Sequence, residues 1–565
     1  MRRRIAGPAT GLVAALVALV ALAGCVTIPT GGGVSTQRIE QDQGGDGTIR
    51  AVSGPDKGMT PSEIVAGFVR AGGGPQGGYQ VAKEYLTSSL QSTWKPGAWT
   101  LISDTPVAPE ADLSPTAAAA DFSVGLEVVG LIDATGVYTA QSAAQRELSF
   151  HLVKQKGQWR IDRAPDGTVL RTRDLGSIAR PYDLYFFDPG YDYLVPDLRW
   201  FADLGGDGNL QRIVGALLAG PAKWLASPVV VSAFPSGTQL GGPPIADSGE
   251  ITVDLSSGVA DAGALQQARM LQQLTWSLRA LDVHAVSMTA NGLAVPATEG
   301  SSANGSPSVT YEAIGSDGKV FGAVGATGVN ALPSIGADVQ SLAPTAVTLG
   351  HDRTTAAVLG TGGVSLVTPD AHPVVDARSG LLAPALDPEG YVWSAQADPG
   401  SLIAVRGDGR QHAVPLTVDG RLVSIAVSRD GTRLLAGLAT DTGSRLIVLG
   451  IQRDKDGAPT GFGTPLEVAV DSSRPIIDAA WVDAGSVAVI SGEPSGLDEI
   501  TEYELGGLAT PHGVVRAARS LAAGATGSGF DAVRVLLASG QLDQPSLGDD
   551  WQATGAKLTL LGTQQ

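Results

Sequence analysis

There is one cysteine in the 565 residues. No disulfide can therefore form within the chain, and zinc sites built on cysteine pairs are excluded. The six histidines stand at 151, 284, 351, 372, 412 and 512, no two within five residues, so no His-Glu-x-x-His metal motif exists. A G-x-S-x-G nucleophile elbow and a glycine-rich phosphate loop are both missing. Ser92-Thr93-Trp94-Lys95 fits the S-x-x-K acyl-enzyme pattern, but no K-T-G follows it and Pro96 stops a helix there, which makes it a chance match. Asp454 to Gly457 and Asp203 to Gly208 resemble fragments of calcium loops without the bidentate glutamate, and read as turns. Charged residues make up only 17% and aromatics 5%. After Cys25 no apolar run reaches the ~18 residues of a membrane helix. The net charge of −18 argues against nucleic acid or anionic lipid as a partner, because both would repel it. The composition calls for no cofactor and no metal, and the chain reads as a non-enzyme.

The N-terminus carries the strongest positive signal. Arg2, Arg3 and Arg4 form a basic head, and residues 11–23 are apolar or small, too short to span a bilayer and the right length for a signal-peptide core. The segment ends in Leu22-Ala23-Gly24-Cys25, a lipobox. Leu22, Ala23 and Gly24 suit signal-peptidase recognition, and the Cys25 thiol accepts diacylglycerol through a thioether. Two or three acyl chains hold a protein stably where one does so marginally. The phenylalanine and lysine of a twin-arginine signal are absent, which favours the general secretory route. The expected location is the outer face of the cell membrane, held by lipid. Gly- and Ala-rich, Lys-poor usage fits a high-GC bacterium.

Five stretches follow from composition and periodicity. Residues 1–24 are the signal peptide. Residues 25–59 are the lipidated cysteine and a flexible tether, with Gly31-Gly32-Gly33, Gly44-Gly45 and Gly54-Pro55. Residues 60–175 form an α+β domain. Thr60, Pro61 and Glu63 make an N-cap with capping box, Ile64, Val65, Phe68 and Val69 follow at helical spacing, and a second helix is expected from Tyr79 to Leu90. Strands then alternate through Ser123–Val128 and Leu148–Leu152, turn at Lys156-Gly157 and return through Trp159 and Ile161. Residues 181–295 are α/β: strands at 184–187, 194–199, 251–255 and 284–288, a helix at 210–219, and an apolar stripe of Leu265, Ala268, Leu271, Leu274, Leu278 and Leu281. From 301 to 565 short strands and Asp/Gly turns recur. Asp352, Asp387, Asp430 and Asp483 are 35, 43 and 53 residues apart, a period that fits the four-stranded blades of a β-propeller, with a pair of β-sandwiches as the alternative. The abrupt change near residue 301 predicts a β unit that folds without residues 60–295.

The 60–175 pattern resembles the nuclear-transport-factor-2 or cystatin-like fold. Ala216 to Pro221, Phe234 to Thr238 and Val253 to Ser256 resemble the GerMN domain. Lipobox, α+β domain, GerMN domain and propeller in this order resemble the actinobacterial LpqB lipoprotein family. That resemblance implies association with the MtrA–MtrB two-component system. The implied partner is the extracellular domain of an MtrB-like sensor kinase, with no interface residue transferred. The alternative from another class is an envelope scaffold holding glycan or muropeptide in the propeller mouth.

Overall fold

The computed structural model describes residues 52–565 except 107–117, 205–207, 282, 298–302, 306, 308, 326–327, 399, 525–528, 547 and 549. Cys25, Leu22, Ala23 and Gly24 lie outside the described residues. The described residues form one compact unit.

Order begins as the capping chemistry requires. Helix Pro61–Ala71 starts at Thr60, whose hydroxyl accepts from the Glu63 N–H while Glu63 reaches back to the Thr60 N–H at 2.8 Å. Its apolar face, Ile64, Val65 and Phe68, is buried. The expected helix over 79–90 is instead two short ones, Gln76–Lys83 and Ser88–Thr93. The break has a cause: the Thr87 N–H donates to the Ile161 carbonyl at 2.8 Å, so the connecting backbone is extended and bonds to a strand. The helices cover a five-stranded sheet in the order Gln158–Arg163, Tyr138–Gln155, Ala119–Asp133, Trp99–Ile102 and Thr168–Leu170. Strict alternation along Ala119–Asp133 buries Phe122, Val124, Leu126 and Val128 and exposes the residues between. Lys156 and Gly157 both take positive φ and form the predicted two-residue turn.

The second part opens with the antiparallel pair Ala179–Phe187 and Leu194–Ala202. A four-stranded sheet follows in the order Leu293–Ala294, Ala285–Ala290, Glu250–Leu255 and Ile245–Asp247. Its central pair is parallel, and helix Ala264–Leu278 makes the crossover such a pair needs. The stripe on this helix starts later than its spacing suggests. Leu265 is 58% exposed, while Met270 and Gln273 are fully buried. Three-residue steps fall short of a helical turn by about 60° each, so the first leucine is rotated out of the buried face.

From Ile314 the described residues build five sheets, four of four or five strands and one of eight that divides into two four-stranded blades at Leu560–Gln564. Blade 2 spans Ala346–Asp376, blade 3 Ala385–Pro415, blade 4 Arg421–Val468, blade 5 Ile476–Arg516 and blade 6 Ala518–Lys557. Blade 1 joins both ends of this stretch: Ile314–Ser316, Phe321–Gly325 and Gly328–Ala331 accept Leu560–Gln564 as the innermost strand. The inner strands of neighbouring blades touch in a closed ring. This is a six-bladed propeller sealed by its last strand. Asp352, Asp387, Asp430 and Asp483 each follow the first strand of a blade and share one end of the ring. The Asp317 turn looks alike in sequence but follows a second strand, which puts it at the opposite end.

The second part and the propeller are one body in packing terms. A single apolar core runs from Leu184, Phe186, Leu217, Leu225 and Val229 into Leu446 and Val448 of blade 4 and Trp481, Val487 and Tyr503 of blade 5. The first domain joins through Tyr138, Leu170 and Leu175, which cluster with Trp200 and lie against Leu508.

Candidate functional site

Four repeated aspartates stand at one end of the propeller, so the first question is whether they converge. Each is instead tied to its own turn. Asp352 accepts from the Thr354 and Thr355 N–H groups at 2.9 and 3.0 Å. Asp387 accepts from the Tyr391 N–H at 2.7 Å and the Trp393 indole at 2.9 Å, and pairs with Arg453 at 2.7 Å. Asp430 accepts from the Thr432 N–H and the Ser428 hydroxyl and pairs with Arg433, both partners fully buried. Asp483 accepts from the Gly485 and Ser486 N–H groups at 2.7 and 2.8 Å. Burial opposes ionisation of Asp430, but the Arg433 guanidinium and the neighbouring hydroxyls outweigh it and hold the carboxyl below its ordinary value. A carboxylate that accepts from one or two amides of its own tight turn is a structural acceptor. The period read from sequence is therefore the period of a turn.

The same end of the ring is bridged by side chains from different blades. Arg429 of the blade 4 turn donates to the carbonyls of Val482 in blade 5 and Ala523 in blade 6, at 3.3 and 3.1 Å. Gln565, after the closing strand, donates its backbone N–H to Leu349 of blade 2 at 2.9 Å and its amide to Val427 of blade 4 at 3.0 Å. Over blades 4 and 5 this end is also covered by the second part. The Trp200 indole donates to the Gly506 carbonyl at 2.9 Å, and a side chain at Gly450 would collide with Val229.

A second cluster ties the first and second parts together. Arg199 and Asp197, 1% and 2% exposed, pair at 2.6 Å. Arg199 also donates to the Thr135 carbonyl of the first domain at 3.1 Å and to the Gly220 carbonyl at 3.2 Å, while Asp197 accepts from the Ala222 N–H at 2.7 Å. The next residue, Trp200, donates its backbone N–H to the Gly136 carbonyl at 2.8 Å. Sequence reasoning missed this pair. The available signal was an acid and a base two residues apart within the otherwise apolar strand Leu194–Ala202.

The polar residues of the chance motifs have structural partners. Ser92 donates to the Ser89 carbonyl at 2.8 Å, and the Lys95 N–H to Asp166 at 2.9 Å. Asp454 accepts from the Asp456 and Ala458 N–H groups, as a hairpin turn requires. Ser486 donates to one oxygen of Glu502 at 2.7 Å, and the other oxygen lies 3.3 Å from His512 Nε2. The carboxylate, not the imidazole, faces the hydroxyl, which is the wrong order for a serine nucleophile. In the first domain a small cleft lies between Phe68, Trp94, Trp99 and Phe150, and its lining carries no charged side chain. Among the described residues no group of three or more His, Cys, Asp or Glu converges as metal ligands, and no helix is long and apolar enough to cross a membrane.

Three protein-family models match the chain in sequence order. They are "Lipoprotein LpqB, N-terminal domain" at residues 54–176, "Sporulation and spore germination" at 183–295, and "Lipoprotein LpqB beta-propeller domain" at 318–553. A curated protein named "Lipoprotein LpqB" from Streptomyces coelicolor is 28% identical over 92% of this chain and 91% of its own length. Its namesake from Streptomyces avermitilis is 25% identical over 87% and 88%. A third, from Thermobifida fusca, is 32% identical over 46% of this chain and 43% of its own length.

Proposed function

Because the chain belongs to the LpqB lipoprotein family, we propose that it is a lipoprotein anchored by Cys25 on the extracellular face of the membrane, where it binds and modulates an MtrB-like sensor kinase. The reading rests on one structural observation above the others. Three domains share packed interfaces and form a single body, so a contact made by one domain constrains all three. The four repeated carboxylates at one end of the propeller are occupied in turns, which leaves surface recognition as the activity the molecule supports best. Tethering strengthens such recognition: two partners confined to one membrane meet at high effective concentration, and a contact of micromolar strength, about −8 kcal/mol, suffices. The glycan-scaffold alternative needs an open propeller mouth, and one end is bridged by Arg429 and Gln565. Crosslinking in intact cells followed by mass spectrometry tests the proposal. Recovery of the sensor kinase with this chain is the expected outcome. Recovery of wall fragments alone would favour the scaffold.

A further inference from the structure

The acidic charge of this protein is unevenly placed. Residues 301–565 hold 16 Lys and Arg against 28 Asp and Glu, whereas residues 54–176 hold 11 against 13. Within the first domain three of these eleven cations, Lys154, Lys156 and Arg160, lie at the hairpin between strands Tyr138–Gln155 and Gln158–Arg163. Lys154, Gln155 and Lys156 are exposed there, and Trp159 and Arg160 are half-buried. The Lys154 ammonium lies 4.9 Å from the centre of the Trp159 ring, and Arg160 donates to the Trp159 carbonyl at 2.7 Å. The chain entering from the tether reaches this hairpin. Val52 meets Gly74, the Ser53 carbonyl accepts from Tyr85 at 2.9 Å, and the Gly58 N–H donates to the Gln158 side chain at 2.8 Å. That contact brings exposed Lys57 to the same tip. Asp56 on the strap and Glu84, beside Gly54, are the acids on the tether side.

We propose that this hairpin tip, with Lys57, Lys154, Lys156, Arg160 and Trp159, is a contact surface for the headgroups of anionic membrane lipids and sets which end of the molecule faces the bilayer. The inference rests on the lipid-anchor reading only for bringing the tip to the membrane. Position, charge and side-chain type agree. The tip is where the tether joins the folded body, its charge is opposite to that of the whole chain, and an indole beside ammonium groups suits the layer between water and hydrocarbon. The net charge of −18, which argues against anionic lipid for the chain as a whole, acts weakly at this tip, because charges more than a Debye length away, about 8 Å in physiological salt, are largely screened.

The experiment uses the chain from residue 26, which keeps every described residue and lacks the anchor. It is cosedimented at low salt with vesicles of phosphatidylcholine alone or mixed equally with phosphatidylglycerol. Binding to the mixed vesicles only, weakening as salt is raised, is the expected result. Each cation is worth roughly five-fold, so Lys154→Ala/Lys156→Ala should bind about twenty-five-fold more weakly with an unchanged melting curve. Arg410→Ala, on an exposed propeller turn, should bind like the parent. Equal binding to both vesicles, or an equal loss in the Arg410 variant, overturns the proposal. Membrane fractionation of the full-length lipoprotein separates the two readings: full membrane retention with no vesicle preference for the fragment rejects the tip and keeps the anchor.

Discussion

Glu389 and Asp387 share the Arg453 guanidinium, at 3.2 and 2.7 Å, within one turn of blade 3. Burial first, and the Asp387 charge second, push the Glu389 carboxyl up to about 8. A carboxyl raised in the folded state favours folding below its unfolded value of about 4.5 and loses that contribution as pH rises toward 8. Glu389→Gln should therefore melt like the parent at pH 4 and above it at pH 8, with the gap opening between. An unchanged difference across that range contradicts the assignment. The Arg199–Asp197 pair gives the opposite kind of test. Arg199→Met leaves a buried carboxylate without its cation, and removing one partner of a buried pair costs about 3–5 kcal/mol; denaturant unfolding measures it. The turn aspartates were legible in sequence because each serves amides two to four residues away. Arg199 was not, because its acceptors come from Thr135 and Gly220, remote in the chain.

Elements whose forces are local were read correctly. Thr60 with Glu63 set a helix start, alternation set Ala119–Asp133, and Lys156-Gly157 set a hairpin. Elements decided by distant pairing were misread. The helix over 79–90 gives way to a bond between Thr87 and Ile161; Leu265 differs from its spacing for a local reason, the three-residue steps that rotate it off the buried face. The closing strand is the clearest case. Leu560–Gln564 pairs antiparallel with Ile314–Ser316 and parallel with Thr348 and Leu349 of blade 2, so nothing local reveals it. Cutting the chain after Lys557 should open the ring and expose the inner edges of blades 1 and 2. The expected result is loss of the cooperative β-sheet melt, followed by circular dichroism. A truncated chain that melts like the parent would show that the ring does not depend on this strand.

At the scale of the whole molecule, the change of pattern near residue 301 predicts a propeller independent of what precedes it, and the packing qualifies that expectation. Strand and turn periodicity report which residues face a core, not whose core it is. Here Leu446, Val448, Trp481 and Tyr503 of the propeller face the same core as Phe186, Leu217 and Val229. A 301–565 fragment exposes that apolar surface and should melt several degrees below the intact chain while binding a hydrophobic dye. A fragment as stable as the whole and free of dye would show that the shared core contributes little. The proposed function depends on this single body presenting a surface to a membrane partner. The most direct measurement titrates purified kinase extracellular domain against the chain from residue 26, in solution and then with both partners attached to one supported bilayer. Saturable binding that strengthens on the bilayer is the predicted result. No binding in either format, together with unchanged regulator phosphorylation in a strain lacking the protein, contradicts it.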